Sequence, residues 1–165
     1  MSAVGSLPPE HWLAEQACRD CILRVGAALD AGDYVAFSHH FARDATLTRP
    51  NQTVLEGRDA ILASYLQRPA DRSTRHLLTN IIVDLESPTL ARARSTVLLW
   101  SATREPAERD SAISVDEGGP PKTALNEHCA DPLQLLGEFD DMLERHEEEW
   151  LIAKRVARFV MFRNA

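Results

Sequence analysis

Two cysteines, Cys18 and Cys21, carry the C-x-x-C spacing of thiol redox sites. Such sites work through a thiolate, which is usually stabilised at the N-terminus of a helix. Here both cysteines fall inside residues 10–31, where apolar residues recur at spacings of three and four and predict a single amphipathic helix. The third cysteine, Cys129, leaves an odd count that does not suit a disulfide framework. We interpret all three as reduced thiols without redox function.

Other residue types that could do chemistry do not converge in the sequence. His128 and Cys129 are neighbours, but no further ligands stand at the spacing of a closed zinc site. His39 and His40 are adjacent on a predicted helix, so their rings diverge. The chain also has no glycine-rich phosphate loop, G-x-S-x-G elbow or H-E-x-x-H helix. We therefore expect neither a metal nor a cofactor.

The composition limits the kinds of partner that the chain is expected to bind. The 165 residues carry a formal net charge of -7, which opposes binding to a phosphate backbone, so no nucleic acid partner is expected. No apolar run approaches the ~18 residues of a membrane helix. The N-terminal residues lack the basic and apolar segments of a targeting peptide. These features predict a soluble, cytoplasmic protein without a membrane partner.

The first third of the chain is predicted to be helical. Gly32 is placed to end the helix of residues 10–31, and Asp33 to cap a second, shorter helix that runs to about residue 40. A third helix over residues 60–66 ends before Pro69. The predicted buried stripe of the first helix consists of Trp12, Leu13, Ala17, Cys21, Leu23, Ala28 and Leu29.

Strands dominate the remainder. Residues 41–48 and 53–55 predict two short strands, and residues 72–86 and 90–101 predict an antiparallel hairpin around Ser87 and Pro88. A second hairpin is predicted from residues 133–144 and 150–162, with residues 146–149 as its turn. Helices followed by long antiparallel strands specify an α+β fold.

Two segments fall outside these elements. Residues 103–132 hold four prolines and two glycines and predict a long loop, either a lid over a pocket or a disordered insertion. Residues 1–9 are predicted to be a disordered N-terminus. No internal repeat is evident, so residues 1–165 are expected to form one domain.

The element order, together with several short motifs, resembles the nuclear transport factor 2-like superfamily, which includes SnoaL-like proteins and scytalone dehydratase. This resemblance implies a cone-shaped α+β barrel, in which three N-terminal helices pack on a curved, mainly antiparallel sheet and close a pocket. The motifs are Leu29-Asp30-Ala31-Gly32-Asp33-Tyr34 with Phe37, Phe41-Ala42-Arg43-Asp44-Ala45, Glu56-Gly57-Arg58-Asp59-Ala60-Ile61 with Tyr65, Arg75-His76, and Gly137-Glu138-Phe139-Asp140 with Trp150.

Within the superfamily, the likeness to scytalone dehydratase implies an aspartate near the end of the first helix and a histidine on the first long strand. Those positions match Asp30 and His76, whose pair could move a proton, because the carboxylate fixes the tautomer of the imidazole. The dehydratase's second histidine has no counterpart near Leu99. Leu29 and Arg49 stand where it has two tyrosines. The match to the dehydratase therefore covers Asp30 and His76 and not the rest of its catalytic set.

Strand alternation extends the candidate site. Period two places His76, Leu78, Asn80 and Ile82 on one face of the first long strand, so Asn80 either orients a ligand or bonds to the backbone. The opposite face is also apolar, which predicts a homodimer or higher homo-oligomer through the sheet. Aromatic residues that either line the pocket or fill the core are Tyr34, Phe37, Tyr65, Trp100 and Phe139.

Three functions remain open at this level. The first is a cofactor-independent dehydratase, isomerase or cyclase that acts on a small apolar, cyclic or aromatic molecule through Asp30 and His76. The second is a non-catalytic ligand-binding or accessory subunit. The third is a structural oligomerisation module whose pocket is filled by its own side chains. The blander interpretation of the pair is that Asp30 only terminates a helix and His76 is a satisfied histidine of the pocket.

Overall fold

The computed structural model describes residues 8–103 and 133–164 of the chain. Within them, no helix is both long and apolar enough to cross a membrane. The elements in chain order are α1 (Pro9–Ala31), α2 (Tyr34–His39), β1 (Phe41–Thr48), β2 (Val54–Glu56), α3 (Arg58–Leu66), β3 (Arg72–Ser87), β4 (Leu90–Thr103), β5 (Leu133–His146) and β6 (Glu149–Asn164).

The six strands form one curved sheet in the order β2-β1-β6-β5-β4-β3. Both predicted hairpins are confirmed, since β3 pairs with β4 and β5 with β6, in each case antiparallel. Strand β1 instead runs parallel to β6, which makes the sheet mixed. Three helices packed on a mainly antiparallel sheet are the α+β arrangement predicted from the sequence.

Element boundaries shift by a few residues from the predicted ones. Helix α1 begins at Pro9, a residue assigned in the prediction to the disordered N-terminus. The turn between β5 and β6 contains only Glu147 and Glu148, and Glu147 adopts the left-handed φ of 54° that a two-residue hairpin requires. The predicted lid falls mainly on residues 104–132, which lie outside the described residues.

The predicted stripe of α1 is wrong at several positions. Trp12, Leu13 and Leu23 are exposed, because the helix meets the sheet and the neighbouring helix along a different row of side chains. That row recurs at spacings of three and four, as a single helix face must. It consists of Cys18, Cys21, Ile22, Val25 and Gly26.

Two glycines fix where α1 lies and where it stops. A Cβ atom on Gly26 would stand 2.8 Å from Leu78 Cδ1, so the missing side chain lets α1 approach β3 closely. Gly32, at φ 74°, donates its N–H to the carbonyls of Ala28 and Leu29 and ends the helix, as predicted. Asp33 then caps α2 by accepting from the Ala36 N–H at 2.9 Å. The end of α1 is thereby held against β3.

Strand β3 contains a β-bulge that overturns its predicted alternation. Asn80 adopts φ 50°, and the pairing register with β4 breaks between Thr79 and Ile82. An extra residue in one strand reverses the phase of the side chains beyond it. Val83 therefore points into the core, while Asn80 and Ile82 are exposed. The prediction that Asn80 and Ile82 share the face of His76 is wrong for this reason.

Candidate active site

Asp30 and His76 meet where α1 ends against β3. The Asp30 Oδ1 atom lies 2.5 Å from His76 Nδ1, and Oδ2 accepts the backbone N–H of His76 at 2.6 Å. Thr74 adds a hydroxyl donor to Oδ1 at 3.2 Å. The side chains of His76 and Asp30 are only 11% and 15% exposed. The carboxylate therefore fixes the strand and the ring together, and does more than end a helix.

This arrangement lowers the pKa of Asp30 and determines which tautomer the His76 ring adopts. Burial alone would raise the pKa of Asp30, but the ring and backbone hydrogen bonds from His76, its charge and the Thr74 hydroxyl outweigh it and lower that pKa. An ionised carboxylate only accepts, so the proton on the neutral ring belongs on Nδ1. Nε2 then keeps its lone pair, and no group among the described residues is hydrogen-bonded to it.

A cavity of about 120 Å³ lies between the helices and the sheet, and His76 is part of its wall. Polar contributions to the wall come from Arg49, Tyr65, His76, Arg155 and Arg158, although the Arg158 guanidinium pairs with Glu138 and Asp140. The apolar lining comes from Leu29, Phe37, Phe41, Leu47, Pro50, Val97, Leu99, Phe139, Ala157 and Phe159. A mainly apolar cavity with a few polar groups is the usual composition of a small-molecule site.

The aromatic residues singled out in the sequence divide between the cavity and its surroundings. Phe37, Tyr65 and Phe139 line the cavity, and the rings of Phe37 and Tyr65 are 4.5 Å apart. Tyr34 stands outside the lining, with its ring 6.2 Å from that of Tyr65. Trp100 is exposed, because the alternation of β4 turns its neighbour Leu99 into the cavity and Trp100 away from it.

Asn80 also lies outside this cavity. It borders a separate surface depression together with Arg94, Glu138 and Arg158. The bulge in β3 is the cause, since it turns Asn80 out of the row that contains His76. Of the seven predicted site residues, His76, Tyr65 and Phe139 line the cavity, and Asp30 contacts His76 without being part of the lining. Tyr34, Asn80 and Trp100 are not among the lining residues either.

The sequence analysis missed a second charged pair, Asp141 on β5 and Arg155 on β6. Arg155 donates to both carboxylate oxygens at 2.7 Å, and the two side chains are 1% and 6% exposed, respectively. Its guanidinium carbon lies 4.4 Å from the centre of the Phe139 ring. Burial alone would lower the pKa of Arg155, but the adjacent Asp141 carboxylate outweighs it and raises that pKa. The sequence signal for this pair was two residues of opposite charge, one in each of two predicted strands, within rows of otherwise apolar side chains.

The cysteines take no part in this chemistry. Cys18 and Cys21 lie on the buried face of α1, and burial raises the pKa of each thiol to about 12. Both are therefore protonated at neutral pH and lack the thiolate that a redox or nucleophilic role requires. Within the described residues, no three His, Cys, Asp or Glu side chains are grouped to hold a metal ion.

One curated relative is similar in sequence. Over 82 residues the chain is 34% identical to the "Terrestric acid biosynthesis cluster protein E" of Penicillium crustosum, a match that covers 50% of this chain and 52% of that protein. The chain thus spans about half the length of this relative. That name assigns the relative to a biosynthetic gene cluster.

Solved structures are similar in fold. A candidate scytalone dehydratase from Novosphingobium aromaticivorans superposes with a TM-score of 0.73 at 18% identity, covering 94% of this chain and 90% of that one. The hexachlorocyclohexane dehydrochlorinase LinA-type3 from Novosphingobium barchaimii gives 0.71 at 13% identity, covering 94% and 92%. A nuclear transport factor 2-like protein from Novosphingobium aromaticivorans gives 0.66 at 19%, covering 97% and 92%.

The family assignment rests on the sequence itself. The profile of the SnoaL-like domain matches residues 10–156, which include every described element except the first residue of α1 and the end of β6. The matched region also contains Asp30, His76 and the residues of the cavity wall up to Arg155. The chain belongs to the SnoaL-like domain family.

Proposed function

We propose that this SnoaL-like protein is a cofactor-independent lyase or isomerase in which His76 is the general base and Asp30 its positioning residue. The observation that carries the proposal is the 2.5 Å contact between Asp30 and His76 at the wall of an apolar cavity. A buried carboxylate that orients an imidazole, with its second nitrogen free, is a common arrangement for moving protons.

The proposed chemistry starts with abstraction of a proton from carbon. His76 Nε2 takes a proton from a C–H bond next to an activating group, and the electron pair of that bond forms a double bond. In an elimination the leaving group departs with its own electron pair and takes up a proton from His76 or solvent. In an isomerisation the proton returns to a different carbon. Asp30 stabilises the imidazolium between the two steps.

Two similar structures have names that fit this type of reaction. Scytalone dehydratase and hexachlorocyclohexane dehydrochlorinase are both named for eliminations, the loss of water and the loss of hydrogen chloride. The relative from a biosynthetic cluster fits a role in the metabolism of small molecules. The apolar wall suits a small cyclic or aromatic molecule, since its lining includes Phe37, Phe41, Phe139 and Phe159.

The test is hydrogen–deuterium exchange at carbon, which does not require the natural substrate. Cyclohexanone and 1-tetralone are incubated with the protein in D₂O, and loss of the α-proton signals is followed by NMR. We expect exchange catalysed by the wild type to exceed that of the His76→Gln variant by about 100-fold or more. His146→Gln is the matched control, because His146 lies beside Glu144 near the end of the β5–β6 hairpin and should change nothing. Equal rates for wild type and His76→Gln would contradict the proposed base.

A non-catalytic ligand-binding or accessory protein is the second candidate. Two apolar residues of the cavity wall favour this candidate. Leu29 stands at a position where the dehydratase resemblance implies a tyrosine, and Leu99 stands near the position where it implies a second histidine. In that case a ligand that co-purifies with the wild type, identified by mass spectrometry, would bind the His76→Ala variant with unchanged affinity and leave it unaltered.

We also propose a homodimer through the face of the sheet that points away from the helices. Its apolar contribution includes Leu77, which is exposed on β3, and Trp100, which is exposed on β4. Sedimentation of the wild type and of a Leu77→Glu, Trp100→Glu variant tests this arrangement, because two buried charges would dissociate a dimer that uses these side chains.

A further inference from the structure

Arg49 is held at the wall of the cavity by the turn that follows β1. Its backbone N–H donates to the Thr53 carbonyl at 2.8 Å, and its carbonyl accepts from the Gln52 N–H at 2.8 Å. The guanidinium carbon lies 5.0 Å from the centre of the Tyr65 ring, which belongs to the same cavity wall. The turn and the ring therefore fix a cation beside the space that a ligand would occupy.

A second cation stands at the same ring. Arg68 follows α3, its backbone N–H donates to the Tyr65 carbonyl at 3.1 Å, and its guanidinium carbon lies 5.7 Å from the Tyr65 ring centre. Two positive charges thus lie within 6 Å of one aromatic ring. Arg49 belongs to the cavity wall and Arg68 does not, so Arg49 is the cation of the two that borders the space for a ligand.

The charge at this ring is uncompensated in the part of the chain that the structure describes. Arg155 is neutralised by Asp141, and Arg158 by Glu138 and Asp140. Within residues 8–103 and 133–164, no Asp or Glu forms an ion pair with Arg49 or Arg68. Counted over the described residues, Arg49 therefore gives the cavity wall an unpaired positive charge, in a protein whose formal net charge is -7.

We propose that the cavity takes a small apolar molecule bearing one carboxylate, which is bound by Arg49 with help from Arg68 while its apolar body faces His76. A guanidinium presents two parallel N–H donors that match the two oxygens of a carboxylate. The inference deepens the proposed function, on which it rests for the placement of the reacting carbon near His76. Arg49 would thus define the substrate class, in place of the tyrosine that the dehydratase resemblance implies at this position.

The experiment compares ligands of one shape and different charge. Benzoate, benzamide and phenyl phosphate are titrated into the protein by calorimetry at low ionic strength. We expect benzoate to bind at least about tenfold more tightly than benzamide, because only benzoate makes charge-assisted hydrogen bonds. Added salt should weaken benzoate binding and leave benzamide binding unchanged. Equal affinities for benzoate and benzamide would overturn the proposal, and tighter binding of phenyl phosphate would overturn its assignment to a carboxylate.

Variants then locate the site. Arg49→Gln should lower benzoate affinity about tenfold and leave benzamide affinity unchanged, and Arg68→Gln should act in the same direction with a smaller effect. Arg49→Lys keeps the charge without the two parallel donors and should lose affinity several-fold, which provides a measurement if Arg49→Gln fails to fold. Arg145→Gln is the matched control, since Arg145 pairs with Glu148 on the β5–β6 hairpin. Unchanged benzoate affinity in Arg49→Gln would overturn the proposal.

One further variant separates this inference from the proposed function. His76→Gln should keep benzoate affinity within about twofold, because the carboxylate is held at Arg49, while α-proton exchange is lost. If exchange is unaffected and Arg49→Gln still weakens benzoate, the carboxylate site stands and the base assignment fails. If exchange is lost and Arg49→Gln has no effect, the base assignment stands and the carboxylate site fails.

Discussion

Two buried carboxylates in this protein are used in different ways. Asp30 lies at the end of α1, where it meets β3, and pairs with the imidazole ring of His76. Asp141 lies between β5 and β6 and pairs with Arg155, a group that stays charged at every ordinary pH. Both pairs border the same apolar interior, so the partner decides whether the carboxylate orients an imidazole or neutralises a fixed charge.

We expect disruption of the Asp141–Arg155 pair to lower the stability of the fold more than disruption of the Asp30–His76 pair. Replacing Asp141 by leucine leaves the Arg155 guanidinium buried without a counter-charge, and we expect the free energy of unfolding to fall by about 3 to 5 kcal/mol. Urea denaturation followed by circular dichroism measures this loss. The double variant Asp141→Leu, Arg155→Met removes both charges and should recover most of it. If the double variant is no more stable than the single one, an unpaired charge is not the cause.

A smaller effect with a distinct pH dependence is expected for the first pair. Asp30→Asn loses a buried, hydrogen-bonded carboxylate and should cost about 1 to 3 kcal/mol at pH 7. The folded-state pKa of Asp30 is lowered from its ordinary 3.8, so the carboxylate stabilises the fold above that value and its contribution disappears as the pH falls through the folded-state pKa.

Measuring unfolding between pH 7 and pH 2 therefore gives a specific signature. The stability difference between the wild type and Asp30→Asn should be present above the ordinary pKa of 3.8 and shrink as the pH falls below that value through the folded-state pKa of Asp30. Thr74→Val, which removes one donor to Oδ1 and keeps the carboxylate, is the control and should preserve part of the pH dependence. A difference that is constant down to pH 2 would mean that Asp30 is not stabilised as a carboxylate.

The smallest effect is expected where the same type of pair is exposed. Glu138 and Arg158 are 43% and 46% exposed on the outer side of the sheet, so water already solvates both groups. Glu138→Gln should change the free energy of unfolding by no more than about 0.5 kcal/mol, and the change should vanish at high salt. A loss of stability as large as that of Asp141→Leu would show that burial does not explain the difference between the exposed pair and the Asp141–Arg155 pair.

Periodicity and resemblance each anticipated different parts of this structure. Strand alternation and helix caps predicted both hairpins and the end of α1 at Gly32, because these depend on residues near one another in the sequence. The exposed positions of Trp12 and Leu13 could not be predicted, since apolar residues at helical spacing do not reveal which of several possible rows meets the sheet.

The candidate site was anticipated only in part. Asp30 and His76 are 46 residues apart, and they were paired through the resemblance to a known dehydratase. Asp141 and Arg155 oppose each other only because β5 and β6 align in one register, and a bulge between Met142 and Leu143 shifts that register. A one-residue shift exchanges the two faces of a strand, so short-range patterns do not identify such a partner.

The bulge at Asn80 divides β3 into two parts whose side chains lie in different surroundings. Before the bulge His76 lines the cavity while Leu78 packs against the core, and after the bulge Val83 lies in the core. The side-chain alternation changes phase between the two parts of β3. We therefore expect a substitution before the bulge to leave the packing after it undisturbed. Deleting Asn80 would restore one continuous alternation along β3, so the two parts of the strand would no longer be independent. Every side chain on one side of the deletion would then move to the opposite face of the sheet.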